Sequence, residues 1–410
     1  MFNKKILEFV NSSEKDCEGI FKKLEEIALF NQNKVLNAFQ NVNLQLADIA
    51  SSTGYGAEDR AKGKLGEIYA NAFGAEFGIV SPLIASGTHA LTIALFGILR
   101  PDDVMLSVTG KPYDTLLGVI FGEGNGSLKD FRVRYDDVEL VDNDFDYDTI
   151  KEKVIKTKPK IIYIQRSRGY TSRDSLSVEK IEKLVKFIRV LDKTAIIMVD
   201  NCYGEFVETR EPTEVGVDVM VGSLIKNAGG GIAPTGAYIV GKKEVVEIVS
   251  SRLIAPNIGL DVGSYAGSYT PFFQGCFLAP HITLNALKGN ILLGRVAEKL
   301  GFVSYPKLGE MPHDLVRTFE MKTADNLIEF CRMIQKFSPV DSSVVPFPWD
   351  MPGYDDKIIM AAGSFIQGSS IELSADGPIR EPYLVYLQGG LTYEHLKIVA
   401  MNFAEKYLNV

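Results

Sequence analysis

Apolar residues recur at helical spacing through Ile20, Phe21, Leu24, Ile27, Ala28 and Phe30, so residues 1 to about 50 read as helix. The run Ser51-Ser52-Thr53-Gly54-Tyr55-Gly56 breaks that pattern with turn formers. From 57 to about 290 the texture changes, and short apolar runs alternate with helical ones. Strands are expected at 77–80, 104–108, 160–165, 195–199, 219–223 and 236–240, with helices at 88–98 and 177–191. Such alternation implies a mostly parallel sheet covered by helices on both faces. An amphipathic stretch at 280–300 then carries the chain out of this unit. Beyond it, strands are expected at 317–322, 358–362, 370–374 and 383–387, and a helix at 324–337. A last helix begins near Tyr393, with Thr392 as its N-cap. The pattern predicts an α/β protein in three parts: an N-terminal helical segment 1–56, a large α/β domain 57–290 and a smaller C-terminal α+β domain 291–410.

Composition narrows the functional classes. A chain of 410 residues can bury a large core. Its formal charge of -8, with no long Lys/Arg block, argues against nucleic acid as a partner. No apolar run reaches membrane-spanning length; 90–99 is the nearest, and it reads as a core helix. The start is charged and amphipathic, unlike a signal-peptide core, so a cytoplasmic protein is expected. Cys17, Cys202, Cys276 and Cys331 show no CxxC spacing and read as free thiols in a reducing compartment. His89, His281, His313 and His395 lack metal-ligand spacing, so no metal site is expected.

The candidate chemistry lies at strand ends. Ile196-Ile197-Met198-Val199-Asp200-Asn201 ends in a carboxylate, and Gly222-Ser223-Leu224-Ile225-Lys226-Asn227 runs into Gly229-Gly230-Gly231. A strand-end acid and a lysine in a glycine-rich loop are what pyridoxal 5'-phosphate (PLP) requires. The lysine amine forms a Schiff base with the cofactor aldehyde, and the carboxylate keeps the pyridine nitrogen protonated. Ligands of open α/β sheets bind at the carboxyl ends of the strands. There, Ser86-Gly87-Thr88-His89 opens a helix and offers backbone N–H groups to a phosphate, and Ser223 can add a hydroxyl. Singly, Lys226 reads as a solvated chain end, Asp200 as a turn residue and Ser86-Gly87-Thr88 as an ordinary cap. Their joint occurrence, in this order within one α/β domain, favours the cofactor site. Residues 236–243 nearly match a phosphate-binding Walker loop, but Lys243 replaces the required Ser/Thr and 237–240 reads as a strand.

With these residues the chain resembles fold-type I PLP enzymes of the cystathionine γ-synthase and methionine γ-lyase superfamily. It is most similar to the branch associated with aluminium resistance. The segments that carry the resemblance are Ser86-Gly87-Thr88-His89-Ala90, Gly110-Lys111-Pro112-Tyr113-Asp114-Thr115-Leu116, Asp200-Asn201-Cys202-Tyr203-Gly204-Glu205-Phe206, Gly222-Ser223-Leu224-Ile225-Lys226-Asn227 and Gln388-Gly389-Gly390-Leu391-Thr392-Tyr393-Glu394-His395. The resemblance implies that Lys226 carries the cofactor and then shuttles the substrate Cα proton, with Asp200 on the pyridinium nitrogen. Ser86, Gly87, Thr88 and Ser223 would hold the phosphate. Tyr113 would stack on the ring and assist proton transfer; its competing reading is a core tyrosine. Tyr55, with Arg60 or Lys62, would reach a neighbouring subunit's phosphate, which implies a homodimer or homotetramer with shared active sites; a charged surface turn is the competing reading.

Two departures bear on the substrate. The superfamily's carboxylate-binding arginine lies near where Tyr386 falls here, so Arg380, the nearest basic residue, is expected to take that role, with a surface salt bridge as its competitor. Gln165-Arg166-Ser167-Arg168-Gly169-Tyr170 replaces the usual turn beside the cofactor. Its arginines suggest a second anion site or an acidic substrate, or else capping or interface charges. The implied activity is carbon–sulfur lysis by β- or γ-elimination on a sulfur amino acid such as cystathionine, cysteine or methionine. Transamination, racemisation or aldol cleavage, and a non-catalytic regulatory protein on the same fold, are the alternatives.

Overall fold

The computed structural model describes residues 2–57, 59–351, 354 and 356–408. Helix α1 (Lys4–Asn41) is capped by Asn3, whose side chain accepts the Lys5 N–H. After the turn at 51–56 come α2 (Arg60–Ala72), β1 (Phe77–Ser81), α3 (Gly87–Ile98), β2 (Val104–Ser107), α4 (Asp114–Phe121) and β3 (Arg134–Asp137). A short hairpin, β4 (Leu140–Val141) and β5 (Asp144–Phe145), leads to α5 (Tyr147–Thr157). Then follow β6 (Ile161–Gln165), α6 (Val178–Leu191), β7 (Ile196–Asp200), β8 (Val219–Ser223), β9 (Ala237–Gly241) and α7 (Lys243–Ser250).

These strands form a seven-stranded sheet in the order β1-β9-β8-β7-β6-β2-β3. Strands β8, β7, β6, β2 and β3 are parallel, and β9 alone runs against its neighbours β1 and β8. The mostly parallel α/β class is as expected, and its cause is visible in the sequence. Strands such as Ile161–Gln165 and Val219–Ser223 are buried at every position, which apolar runs covered on both faces require. Register sets Gln165 beside Asp200, and Asp200 beside Val221. The carboxyl ends of β6, β7 and β8 therefore meet at one edge of the sheet.

Helix α8 (Thr270–Lys299) begins ten residues before the expected amphipathic stretch and encloses Pro280. A proline lacks the N–H of an interior helical residue. The helix continues through it because Phe272, Phe273, Cys276 and Ala279 on one side and Ala286, Leu287 and Ile291 on the other are all buried. The expected domain boundary at 290 falls inside this helix.

The chain ends with β10 (Val303–Tyr305), β11 (Arg317–Glu320), α9 (Ala324–Lys336), β12 (Ile358–Ala362), β13 (Ser374–Pro378), β14 (Leu384–Gln388) and α10 (Tyr393–Leu408). Its five strands make an antiparallel sheet in the order β10-β11-β14-β13-β12. Thr392 caps α10, its Oγ1 accepting the His395 N–H at 3.3 Å. The strand expected at 370–374 lies instead at 374–378. Ile371 and Leu373 alternate like a strand, but the Glu372 carboxylate accepts the Phe365 and Ile366 amides at 2.8 and 2.9 Å and fixes a bend. Ser-Ala-Asp-Gly-Pro has poor strand propensity, yet all five residues are buried between β12 and β14. Helix α1 is no free arm: Ile6, Val10, Phe21 and Leu24 share one core with α8, α10 and this second sheet.

Candidate active site

Asp200 closes β7 and is 5% exposed, its Oδ1 accepting the Cys202 N–H at 3.0 Å. Lys226 follows β8 in extended conformation, just before a 3-10 turn at Asn227–Gly229. Its Nζ lies 4.0 Å from the centre of the Tyr203 ring, a cation–π contact. Burial works against the Lys226 ammonium, but Cys202, Tyr203, Asp200 and Tyr113 outweigh it and hold the amine well above the ordinary lysine range. The glycines after Lys226 answer to close packing. Gly230 has φ +58°, and a Cβ there would overlap the carbonyl oxygen of Gly275 in α8.

The turn after Asp200 is built by a buried cation. Arg166 is fully buried and donates through Nη1 to Asn201 Oδ1 at 2.7 Å and to the Gly204 carbonyl at 3.0 Å. Its Nη2 donates to Glu208 at 2.7 Å, and Glu211 Oε2 lies 3.6 Å from Nη1. Asn227, next to Lys226, donates to the carbonyls of Tyr203 and Glu205 at 3.0 and 3.1 Å. Together these bonds keep Tyr203 at φ +74°, a left-handed conformation that a tyrosine does not adopt unaided. Arg166 is thus a structural cation and not part of an anion site.

Facing this turn, Ser86 caps α3 and Gly87 opens it. A Cβ on Gly87 would lie 3.5 Å from both Cys202 Sγ and Ser223 Cβ, so the glycine keeps open the space between the helix start and the ends of β7 and β8. Thr88 Oγ1 pairs with the Tyr113 hydroxyl at 2.9 Å, and the Tyr113 N–H donates to Gln165 Oε1 at 2.9 Å. Burial, with Asp200 adding to it, pushes the Tyr113 hydroxyl far above its ordinary range, so it is neutral and able to donate.

Ser86, Gly87, Thr88, Tyr113, Asp200, Ser223 and Lys226, all expected from the sequence, line one cavity of about 370 Å³. The donor set has a place for each part of a phosphorylated aldehyde cofactor: an amine for the aldehyde, a carboxylate for a ring nitrogen, and hydroxyls with a helix N-terminus for phosphate. No group of three or more metal-ligating side chains gathers among the described residues.

Other expected residues lie elsewhere. Arg380 does not line this cavity; it borders an adjoining recess with its guanidinium on Asp356 at 2.9 Å. Tyr55 is 82% exposed on the surface, Arg60 faces Asp48 at 3.8 Å, and Lys62 donates to the carbonyls of Leu260 and Val262. The cavity's outer wall holds Tyr170 and Gln388, which the sequence placed in the segments quoted above without a role, and Tyr354, Met360 and Asp376, which sequence reasoning missed. Asp376 was hidden because the strand that carries it was expected at 370–374 and lies at Ser374–Pro378.

This fold and site define an α/β protein of the methionine gamma-lyase family, to which the chain belongs: the family's sequence model matches residues 6–408. Among solved structures, the carbon-sulfur lyase involved in aluminum resistance from Clostridium novyi is 46% identical, with a TM-score of 0.94 over 99% of this chain and 96% of its own. A Listeria monocytogenes protein, provisionally described as a cystathionine beta-lyase involved in aluminum resistance, is 45% identical with a TM-score of 0.95 over 98% and 99% of the two chains. The uncharacterized protein YnbB of Bacillus subtilis is 49% identical over 388 residues, 94% of this chain and 92% of that one. At 14% identity, the pyridoxal-5'-phosphate dependent protein YhfS of Escherichia coli shares the fold, with a TM-score of 0.64 over 94% and 97% of the chains.

Proposed function

We propose that this protein binds PLP and cleaves a carbon–sulfur bond of a sulfur-containing amino acid by β- or γ-elimination. The observation that carries the proposal is the convergence of Lys226, Asp200, Ser223 and the start of α3 on one cavity. Membership of a family with carbon–sulfur lyase neighbours supports it. When bound, PLP supplies an aldehyde to join the substrate amine and a ring that accepts the electrons of the broken Cα–H bond. Lys226 Nζ would hold the cofactor and, once released, take the proton from the substrate Cα. Asp200 would hold a proton on the ring nitrogen, and Ser86, Gly87, Thr88 and Ser223 would hold the phosphate. Tyr113 would stack on the ring, its neutral hydroxyl beside Thr88 moving a proton at Cβ or sulfur. Elimination at Cβ breaks the Cα–H and Cβ–S bonds; with one water consumed, the products are a thiol, a keto acid and ammonia.

The substrate carboxylate needs a guanidinium, and Arg168 suits that role better than Arg380. Arg168 is 1% exposed, its Nη1 reaches Thr318 Oγ1 at 3.4 Å, and its Nε and Nη2 find no partner among the described residues. It borders the recess that shares Tyr113, Gln165, Gly169 and Tyr170 with the main cavity. Asp356 already occupies Arg380. Exposed Tyr55 fits a shared site in a homodimer or homotetramer.

The test is a visible absorption spectrum of the purified protein, repeated on Lys226→Ala and after borohydride reduction. A near-violet band absent from the variant, with reduced PLP fixed to the Lys226 peptide, is expected. A protein that stays colourless with added PLP would sink the proposal.

A further inference from the structure

Tyr203 joins the lysine loop to the C-terminal domain. Its ring centre lies 4.0 Å from Lys226 Nζ, inside the cavity that both residues line. Its carbonyl accepts from two sides, from the Asn227 side chain at 3.0 Å and from the Leu315 N–H at 2.9 Å. Asn227 directly follows Lys226, and Leu315 leads into β11, so both parts of the molecule grip the same peptide. The ring packs with Tyr170 against Val316, Leu384 and Tyr386, and the hydroxyl faces Ser370. A tyrosine kept at φ +74° by so many partners is over-determined, and such strain gathers where a side chain must hold one orientation.

Lys226 has two tasks that ask for opposite charge. Its amine must be neutral to join the cofactor aldehyde, and it becomes an ammonium on taking the substrate Cα proton. Burial works against that ammonium, and the groups around it offer little charge to balance it. The Cys202 thiol and Tyr113 hydroxyl are neutral, because burial pushes both upward. Glu205, which also feels the amine, is pushed by burial up to about 8 and is mostly protonated at neutral pH. Asp200 is taken by the ring nitrogen once PLP is bound. The Tyr203 ring is not, and its negative face attracts a cation while carrying no net charge.

We propose that Tyr203 is a positioning residue for Lys226: its ring face is the platform that holds the ammonium between proton uptake and the amine's return to the cofactor. In the step it serves, the substrate Cα–H bond breaks, the proton passes to Nζ, and the electron pair stays behind on the substrate side. This rests on the PLP reading above.

The experiment compares the parent chain with Tyr203→Phe, Tyr203→Leu and a chain carrying pentafluorophenylalanine in place of Tyr203. The fluorinated ring keeps the shape of phenylalanine and reverses the charge pattern of its face, so it guards against a leucine variant that does not fold. All three lack the hydroxyl beside Ser370, and only the ring face separates them. Trace labelling of the PLP-free chain with acetic anhydride, with the Lys226 peptide quantified by mass spectrometry, counts the neutral amine as pH is varied. The rate at which the visible band grows on adding PLP counts it a second time. The phenylalanine protein is expected to keep the parent's profile. The leucine and pentafluoro proteins are expected to label Lys226 and to take up PLP about tenfold faster near neutral pH, equivalent to a shift of about one pH unit toward acid. A pentafluoro protein that matches the phenylalanine protein overturns the proposal, as does a phenylalanine protein that changes as much as the leucine one. If PLP gives no band in the parent, the PLP reading fails, and the labelling profiles still decide whether the ring holds the ammonium.

Discussion

Tyr113→Phe removes the hydroxyl that meets Thr88 Oγ1 at 2.9 Å, while keeping the ring and the N–H bond to Gln165. A residue that moves a proton contributes about 10²–10⁴ in rate. The substitution is therefore expected to lower kcat about 100-fold or more with PLP still bound, measured by steady-state kinetics alongside the absorption band. A fall of less than about tenfold would reduce Tyr113 to a stacking ring. Asp376 and Glu205 are buried carboxyls raised by desolvation to about 7 and about 8. In the unfolded chain such groups titrate near pH 4. Between that pH and their folded values the native state binds more protons, so stability falls as pH rises through this window and the loss is complete above it. Asp376→Asn removes its share of that loss. Its melting temperature relative to the parent is expected to shift upward between pH 5 and pH 8 in scanning calorimetry; a difference that does not change with pH would contradict the account.

At the scale of elements, the site depends on how firmly the turn after β7 is held. Arg166 binds Asn201, Gly204 and Glu208 from within the core, with Glu211 only 1% exposed beside it. Removing one partner of a buried ion network costs about 3–5 kcal/mol, because the other is left as an uncompensated charge. Arg166→Ala is expected to lose stability on that scale in denaturant titration and to release Tyr203 from its left-handed conformation, weakening PLP retention as well. A stability loss under about 1 kcal/mol would show that the turn does not need the arginine. The parallel strands were legible because burial on both faces leaves continuous apolar runs. Strand β13 was not, since Ser374–Pro378 has weak propensity of its own and forms only because β12 and β14 enclose it.

For the whole molecule, α1 closes a core that also contains α8, α10 and the second sheet, so residues far apart in sequence stand or fall together. The outward-facing Tyr55 is the feature through which the oligomer proposal can be tested. If each site draws Tyr55 from a neighbour, Tyr55→Ala and Lys226→Ala proteins should each be impaired alone and regain activity when mixed, unfolded and refolded together. The regained rate is read as thiol release, and mixtures no more active than the sum of their parts would rule out shared sites.

The sequence by itself determined the α/β class and the order of the inner site. The start of α3, Asp200, Ser223 and Lys226 sit at strand and helix ends, and short-range patterning locates such ends. Tyr113 was marked by the resemblance of Gly110-Lys111-Pro112-Tyr113-Asp114-Thr115-Leu116 to the superfamily. Tertiary structure decided the outer wall. Asp376 reaches the cavity through cross-strand pairing, and Arg166 and Arg168, two residues apart in chain, divide into a satisfied structural cation and a guanidinium whose Nε and Nη2 have no partner among the described residues. Arg380 lies outside the cavity because Asp356 holds it in the neighbouring recess. The physical reason is range: strand ends and caps follow from neighbouring residues, whereas the partner that neutralises a buried charge comes from wherever the fold brings a chain segment close.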